Sequence, residues 1–258
     1  MTSLIQSGPI SLAFKAIACG VRLPRYTMVA KFNQWSHLID LVRRLGINVF
    51  LDVGANRGDF SKHLRMSGYS GHLISFEPIP EEQERIKSLA ANDPNWTACD
   101  YALGTESGSK EFHLCGDQTY FSSFFPINQT VLSAWMPFKV EQRTIPVKIR
   151  RLDEVLPQLI AQIKSPRIFL KMDTQGFDSQ VVDGASGCLD HIIGMQSEIS
   201  VIPLYIGMPH YTESLAQYER LGFELMNMFA VNRMRDGRIL EYDCLMVRPT
   251  ELRGSWAP

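Results

Sequence analysis

The chain has 258 residues, of which 45% are hydrophobic and 21% are charged, as in an ordinary globular protein. A chain of this length can bury a core without disulfides or metal ions. Its formal net charge is −1 and its basic residues are scattered, so no electrostatic feature indicates a nucleic-acid partner. The five cysteines are widely spaced and include no C-x-x-C pair. We therefore expect no structural metal site and a reducing, cytoplasmic location.

Residues 1–45 are predicted to form a helical segment that packs on the rest of the chain. Residues 4–23 are mildly apolar, but polar and charged positions interrupt them, and no basic region of the signal-peptide type precedes them. We predict a short amphipathic helix there and no membrane span, with a membrane-surface role as the alternative. A second helix, over residues 35–45, follows from apolar residues at helical spacing and a stop at Gly46.

Residues 46–250 are predicted to form one α/β domain. Short apolar runs alternate with helical patterns, and Asp236-Gly237 separates two late strands with the chemistry of a hairpin turn. This alternation predicts a mostly parallel sheet with helices on both faces and a C-terminal antiparallel hairpin. The predicted strands are residues 47–53, 71–77, 96–102, 109–114, 141–150, 168–172, 191–200, 223–231 and 241–248, and the predicted helices are 57–67, 80–92, 152–163, 176–184 and 214–221.

Residues 117–139 interrupt the alternation. They are rich in Ser, Thr, Gln and aromatic residues and show no clear period. A long irregular segment inside a compact domain is often a functional lid. The aromatic residues predict a partly ordered cover over a pocket.

The turn after the first strand reads Asp52-x-Gly54-x-Asn56-x-Gly58. Ligands of such sheets bind beyond the carboxyl ends of the strands, and these glycines allow close backbone approach and close helix packing. A nicotinamide cofactor requires G-x-G-x-x-G and a pyrophosphate at the helix start, which Asp52 would repel. S-adenosylmethionine carries an ammonium and a sulfonium but no phosphate, so charge favours it. A tight turn without a ligand is the alternative.

Glu77 ends the second strand, 19 residues beyond Gly58. Doubly wound nucleotide sites place at this distance an acid that hydrogen-bonds the ribose hydroxyls, whereas a solvated loop charge is the alternative. Pro78 favours an extended backbone at Glu77. The expected cofactor-binding residues are Asp52, Gly54, Asn56, Gly58 and Glu77, with Asp100 near the adenine.

Two later strands carry carboxylates near their ends. Asp173 follows residues 168–172, and Glu198 lies in the next strand, on the same predicted rim. Lys171 interrupts an apolar run, and its burial is costly unless its ammonium finds a partner. We expect Asp173 and Glu198 to face an acceptor hydroxyl as base or orienting group, with Lys171 supporting Asp173. Structural ion pairs are the alternative.

These motifs together resemble the FkbM family of S-adenosylmethionine-dependent methyltransferases. The resemblance implies a seven-stranded Rossmann-like domain and methyl transfer to a hydroxyl oxygen, often on a sugar or polyketide-derived product. Two departures stand out: relatives commonly have Glu at Gln175 and Asp178, and an acid at Ile206, where a substrate contact is therefore in question. The stretches that carry the resemblance are residues 50–61, 76–78, 152–154, 170–178, 196–200, 203–205 and 236–238, with Asp243.

Three alternatives stay open at this point. Mg²⁺ held by Asp173 and Glu198 would lower the pKa of an acceptor hydroxyl, although a third oxygen ligand is not evident. An NAD-dependent oxidoreductase is disfavoured by the missing G-x-G-x-x-G. A catalytically silent binding protein is the third. The expected partner is a small-molecule hydroxyl acceptor, and the sequence leaves its identity and the oligomeric state undecided.

Overall fold

A computed structural model describes residues 26–252 of the chain, with side chains from residue 32 onward. The amphipathic helix predicted at residues 4–23 lies outside the described residues. The chain divides into two compact units, residues 1–38 and residues 39–258. The first described helix, α1 (Tyr26–Arg44), starts nine residues before the predicted 35–45 and crosses this division. That residues 1–45 pack on the domain stays a prediction.

A seven-stranded sheet forms the centre of the second unit. Its strands are β1 (Val49–Val53), β2 (His72–Phe76), β3 (Trp96–Cys99), β7 (Ile168–Met172), β8 (Ile192–Ser200), β9 (Glu224–Arg233) and β10 (Ile239–Val247). Their order across the sheet is β3-β2-β1-β7-β8-β10-β9. Neighbouring strands from β3 to β8 run parallel, and β10 runs antiparallel to both β8 and β9. The mostly parallel sheet with its C-terminal antiparallel hairpin is therefore confirmed.

Helices connect the parallel strands, as predicted. Pro80 stands in the first turn of its helix, where a missing N–H costs nothing. Among the described residues, no helix is long and apolar enough to cross a membrane. The helices after α1 are α2 (Asp59–Met66), α3 (Pro80–Ala90), α4 (Gln129–Trp135), α5 (Leu152–Leu159), α6 (Asp178–Asp183), α7 (Tyr211–Arg220) and α8 (Pro249–Leu252), with 3-10 turns at Thr119–Phe121 and Leu189–His191.

A second, three-stranded sheet was not predicted. It has the order β4-β6-β5, with β4 (Ala102–Leu103), β5 (Gly108–Leu114) and β6 (Arg143–Arg150). The strand predicted at 96–102 was wrong in its second half, because it ends at Cys99 and the chain turns before β4. In β5 and β6 buried and exposed positions largely alternate towards one end, as expected where one sheet face meets water.

Polar residues form a row across the buried centre of the main sheet. Asp52 pairs in register with Ser75 on one side and Lys171 on the other, and Lys171 pairs with Gln196. Paired residues of neighbouring strands point to the same face, so these four side chains lie side by side. All four are buried, so the charges of Asp52 and Lys171 must be balanced within the protein.

Candidate cofactor and acceptor site

A pocket lies at the carboxyl edge of β1, β2 and β7. Its empty volume is about 630 Å³, including the part open to solvent. Of the residues predicted for the site, the pocket wall contains Gly54, Asn56, Glu77 and Asp173. Apolar side chains line another part of it, among them Ile79, Leu103, Phe112 and Phe124.

Gly54 allows the backbone of the first turn to approach the end of β7. Its φ is +71°, and a Cβ placed on it would lie 2.1 Å from the backbone oxygen of Asp173. Any other residue would have to push the two strands apart at the floor of the pocket. The next turn residue in the pocket, Asn56, also has a left-handed backbone, with φ +45°.

Glu77 presents a rigidly held carboxyl group to the pocket. Its Oε2 accepts the backbone N–H of Asn56 at 2.8 Å, and its Oε1 accepts that of Ile79 at 2.9 Å. Its exposure is only 3%, and burial raises the pKa of Glu77 to about 7, although both backbone hydrogen bonds oppose the rise. Each oxygen keeps a lone pair that can accept a ligand hydroxyl.

Asp52 and Lys171 form a buried ion pair beneath the pocket. Lys171 Nζ lies 3.0 Å from Asp52 Oδ1, and Ser61 donates to Asp52 Oδ2 at 2.8 Å. Burial opposes the charged form of Lys171, but the carboxylates of Asp52 and Asp173 outweigh it and raise the lysine pKa. Asp52 is fully buried, so its charge is neutralised by Lys171 and is not presented to a ligand. The Asp52 charge was expected to favour a cationic cofactor, but Asp52 is buried against Lys171 and is absent from the pocket wall among the described residues.

Two further predicted residues do not reach the pocket wall. A Cβ on Gly58 would lie 3.0 Å from Leu89 Cδ1, so this glycine serves the close packing of α2 against α3. Asp100 turns away at the end of β3 and pairs with Lys148 on β6 at 2.8 Å. That lysine lowers the pKa of Asp100, whose side chain is 57% exposed.

Gln175 brings the two expected acceptor-facing carboxylates together. Its Nε2 donates to Asp173 Oδ1 at 2.8 Å and to Glu198 Oε2 at 3.2 Å. The side chain of Asp173 is 43% exposed and lies 3.7 Å from Lys171. Glu198 stands behind it, and burial together with the nearby carboxylates, chiefly Glu241, raises the pKa of Glu198 well above its usual value.

The aromatic segment 117–139 is ordered over part of the pocket, as predicted. Thr119, Tyr120, Ser122 and Phe124 belong to the pocket wall. Asn56 Nδ2 donates to Thr119 Oγ1 at 3.2 Å, and this links the segment to the turn after β1. The side chains that cover the pocket come from the 3-10 turn and the residues just after it.

Sequence reasoning missed Gln175, Thr119 and Tyr205 as site residues. Tyr205 Oη donates to Gln175 Oε1 at 2.7 Å, and its ring is 1% exposed. Gln175 has a left-handed backbone, with φ +55°, directly after the strand that ends at Asp173. Its place in the turn was an available signal, since side chains in such turns point towards the ligand edge, and so was its position in a stretch that carries the family resemblance. Among the described residues, no group of three or more His, Cys, Asp or Glu side chains has the arrangement of a metal site.

The model of the "Methyltransferase FkbM domain" matches residues 52–225, about two thirds of the chain. The chain belongs to the FkbM methyltransferase family. The domain is therefore an S-adenosylmethionine-dependent methyltransferase, and S-adenosylmethionine is its cofactor. The match begins at Asp52 and includes both the turn after β1 and the carboxylates after β7 and in β8.

Solved structures similar to this FkbM domain are distant methyltransferases. Fibrillarin from Aeropyrum pernix, with bound S-adenosyl-L-methionine, is 10% identical, with a TM-score of 0.40 over 78% of this chain and 66% of its own. The chain thus spans just under two thirds of that fibrillarin. Magnesium protoporphyrin IX methyltransferase from Synechocystis is 9% identical, with a TM-score of 0.45 over 88% of this chain and 86% of its own. A comparison with curated proteins found no match.

Proposed function

We propose that this protein is an O-methyltransferase that methylates a hydroxyl group of a small molecule, in the first place a sugar or a glycan-like acceptor. The observation that carries the proposal is the pocket whose wall contains Asp173, with its partly exposed side chain, together with Gly54 and Glu77. A carboxylate at that place can accept a hydrogen bond, and then the proton, from an acceptor hydroxyl.

The pocket fits the cofactor. We assign the ribose contact to Glu77, whose oxygens keep free lone pairs, and backbone contacts to Gly54 and Asn56. Asp52 and Gly58 act indirectly in this proposal, because Asp52 holds Lys171 and Gly58 sets the helix position. The bound cofactor supplies an activated methyl group for direct displacement. The apolar side chains around Leu103 provide a surface for the adenine ring.

The acceptor side requires alignment and exclusion of water. Asp173 orients the hydroxyl and takes its proton, Lys171 stabilises the Asp173 carboxylate from 3.7 Å, and Glu198 stands behind as a second carboxyl group. Alignment of this kind supplies much of the barrier reduction for a donor that is already activated. The ordered segment from Thr119 to Phe124 restricts water, and the half-exposed Tyr120 offers a ring on which a sugar face can stack.

Mass spectrometry tests the proposal. The protein is incubated with S-adenosylmethionine carrying a labelled methyl group and with a metabolite extract, and products that gain the label are fragmented to locate it. We expect the label on a hydroxyl oxygen and a loss of at least about 100-fold in Asp173→Asn, given the usual contribution of a general base. Asp190→Asn is the matched control, because Asp190 is fully exposed on a distant turn. Label found on nitrogen or carbon would contradict the proposal.

A further inference from the structure

Gln175 lies between the two carboxylates of the proposed acceptor side and the segment that covers the pocket. Its amide nitrogen donates to both Asp173 and Glu198. Its amide oxygen accepts from Tyr205 Oη at 2.7 Å, and its backbone oxygen accepts from Ser123 Oγ at 2.8 Å. The neighbouring elements thus occupy both ends of its amide and its backbone carbonyl.

The orientation of the Gln175 amide is fixed by the chemistry of its partners. Two carboxylates on one side require a donor, and a phenol on the other side supplies one. Tyr205 Oη lies 3.1 Å from the backbone oxygen of Phe121, so its own position is also fixed. A flipped amide would place its oxygen against the two carboxyl groups and remove the donor that both of them use. The two carboxyl groups therefore decide that the nitrogen faces them, and the Tyr205 hydroxyl is the matching donor for the amide oxygen.

The carboxylates that Gln175 joins stand in a strongly acidic environment. Asp178 holds the backbone of Glu198, because its Oδ2 accepts the Glu198 N–H at 3.1 Å. Two N–H donors placed between like charges lower the free energy of having both carboxylates close together. The charged groups that act on Glu198 are Asp173 at the end of β7, Asp178 on α6, and Glu241 and Asp243 on β10, while Lys171 on β7 lies near Asp173.

We propose that Gln175 is a positioning residue, which holds Asp173 and Glu198 in one arrangement through its amide nitrogen and is itself oriented by Tyr205. This inference rests on the proposed function, because it concerns the two carboxylates assigned to the acceptor side. Gln175 does not exchange protons in this role. It sets the distance between Asp173 and Glu198 and the ease with which Glu198 carries a charge.

The test is a pH titration of Glu198 by ¹³C NMR on protein with labelled glutamate, with the resonance assigned by its absence in Glu198→Gln. In Gln175→Glu the donor is replaced by a third carboxyl group of equal size, so the titration midpoint should rise by about one pH unit or more. Gln175→Met removes the donor without adding charge, and the midpoint should rise by less. If Gln175→Glu does not fold, the Glu198 midpoint in Gln175→Met tests the inference on its own.

Gln217→Glu is the matched control. The Gln217 amide also donates to a carboxylate, that of Asp183 at 2.8 Å, but on α7 and away from the pocket. The Glu198 midpoint should not move in this control. An unchanged midpoint in both Gln175 variants, or an equal change in Gln217→Glu, would overturn the inference. The titration needs no acceptor, so a failure of the O-methylation proposal appears separately, in the location of the transferred label.

Discussion

Glu77 gives the sharpest test of the cofactor site, because its ionisation lies in the measurable range. Its pKa is raised to about 7 by burial, so the ionised fraction increases from about one tenth at pH 6 to about nine tenths at pH 8. A carboxylate accepts stronger hydrogen bonds from ribose hydroxyls than a neutral carboxyl group does. Affinity for S-adenosylmethionine should therefore rise about tenfold between these two pH values.

The perturbation is Glu77→Gln. The amide can accept only one of the two backbone N–H groups that Glu77 accepts at 2.8 and 2.9 Å, so the second faces an NH₂ group. Hydrogen bonds to a charged group contribute about 1.5–3 kcal/mol, which predicts affinity weaker by roughly 10- to 100-fold at pH 8. The pH dependence between 6 and 8 should disappear with the carboxyl group.

Isothermal titration calorimetry at pH 6, 7 and 8 measures both effects. Glu241→Gln is the control, since Glu241 is buried to the same extent and has its pKa raised to about 7, but is absent from the pocket wall among the described residues. This control should keep the pH dependence. Equal affinity at pH 6 and pH 8 in the unmodified protein, or a pH dependence that survives Glu77→Gln, would refute the reasoning.

The ionisation of Glu77 should also change the stability of the protein with pH. An acid whose pKa is raised by folding stabilises the native state below its unfolded pKa, near 4.5, and this contribution is lost as pH rises through about 7. The change between pH 4.5 and pH 8 is at most about 3 kcal/mol for Glu77. Urea unfolding of Glu77→Gln should therefore show a smaller loss of stability over that range than the unmodified protein.

Three further predictions concern the frame of the site. Lys171→Met leaves the Asp52 carboxylate buried without its cation, and the free energy of unfolding in urea should fall by about 3–5 kcal/mol. Adding Asp52→Asn should restore most of this stability in the double variant. Additive losses from the two substitutions would contradict the pairing. Gly54→Ala should abolish cofactor binding and destabilise the protein far more than Gly68→Ala does. Gly68 has a similar positive φ but open space around it, so its substitution tests backbone strain without a steric clash. Equal losses of stability in the two variants would show that backbone strain alone causes the effect. Asp100→Ala should change cofactor affinity less than about threefold and stability by less than about 1 kcal/mol, because its ion pair is exposed; a tenfold loss of affinity would place Asp100 at the adenine after all.

Local patterns in the sequence determined the parts of the site that depend on a single turn. The turn after β1 could be predicted because an apolar run followed by Gly54 and Gly58 permits few backbone conformations. The position of Glu77 could be predicted because the length of one strand–helix–strand unit sets its distance from that turn. The parallel sheet followed from the alternation of strands and helices, for the same local reason.

Tertiary structure decided how these parts act on one another. Asp52 and Lys171 are 119 residues apart, and only the order of β1 and β7 in the sheet makes them partners. Asp100 was expected near the pocket, but the turn after β3 brings it to Lys148 in a second sheet. Gln175 meets Tyr205 through a loop that no periodicity describes. Sequence spacing fixes where a side chain leaves its strand, whereas its partner depends on which distant strand or loop packs beside it.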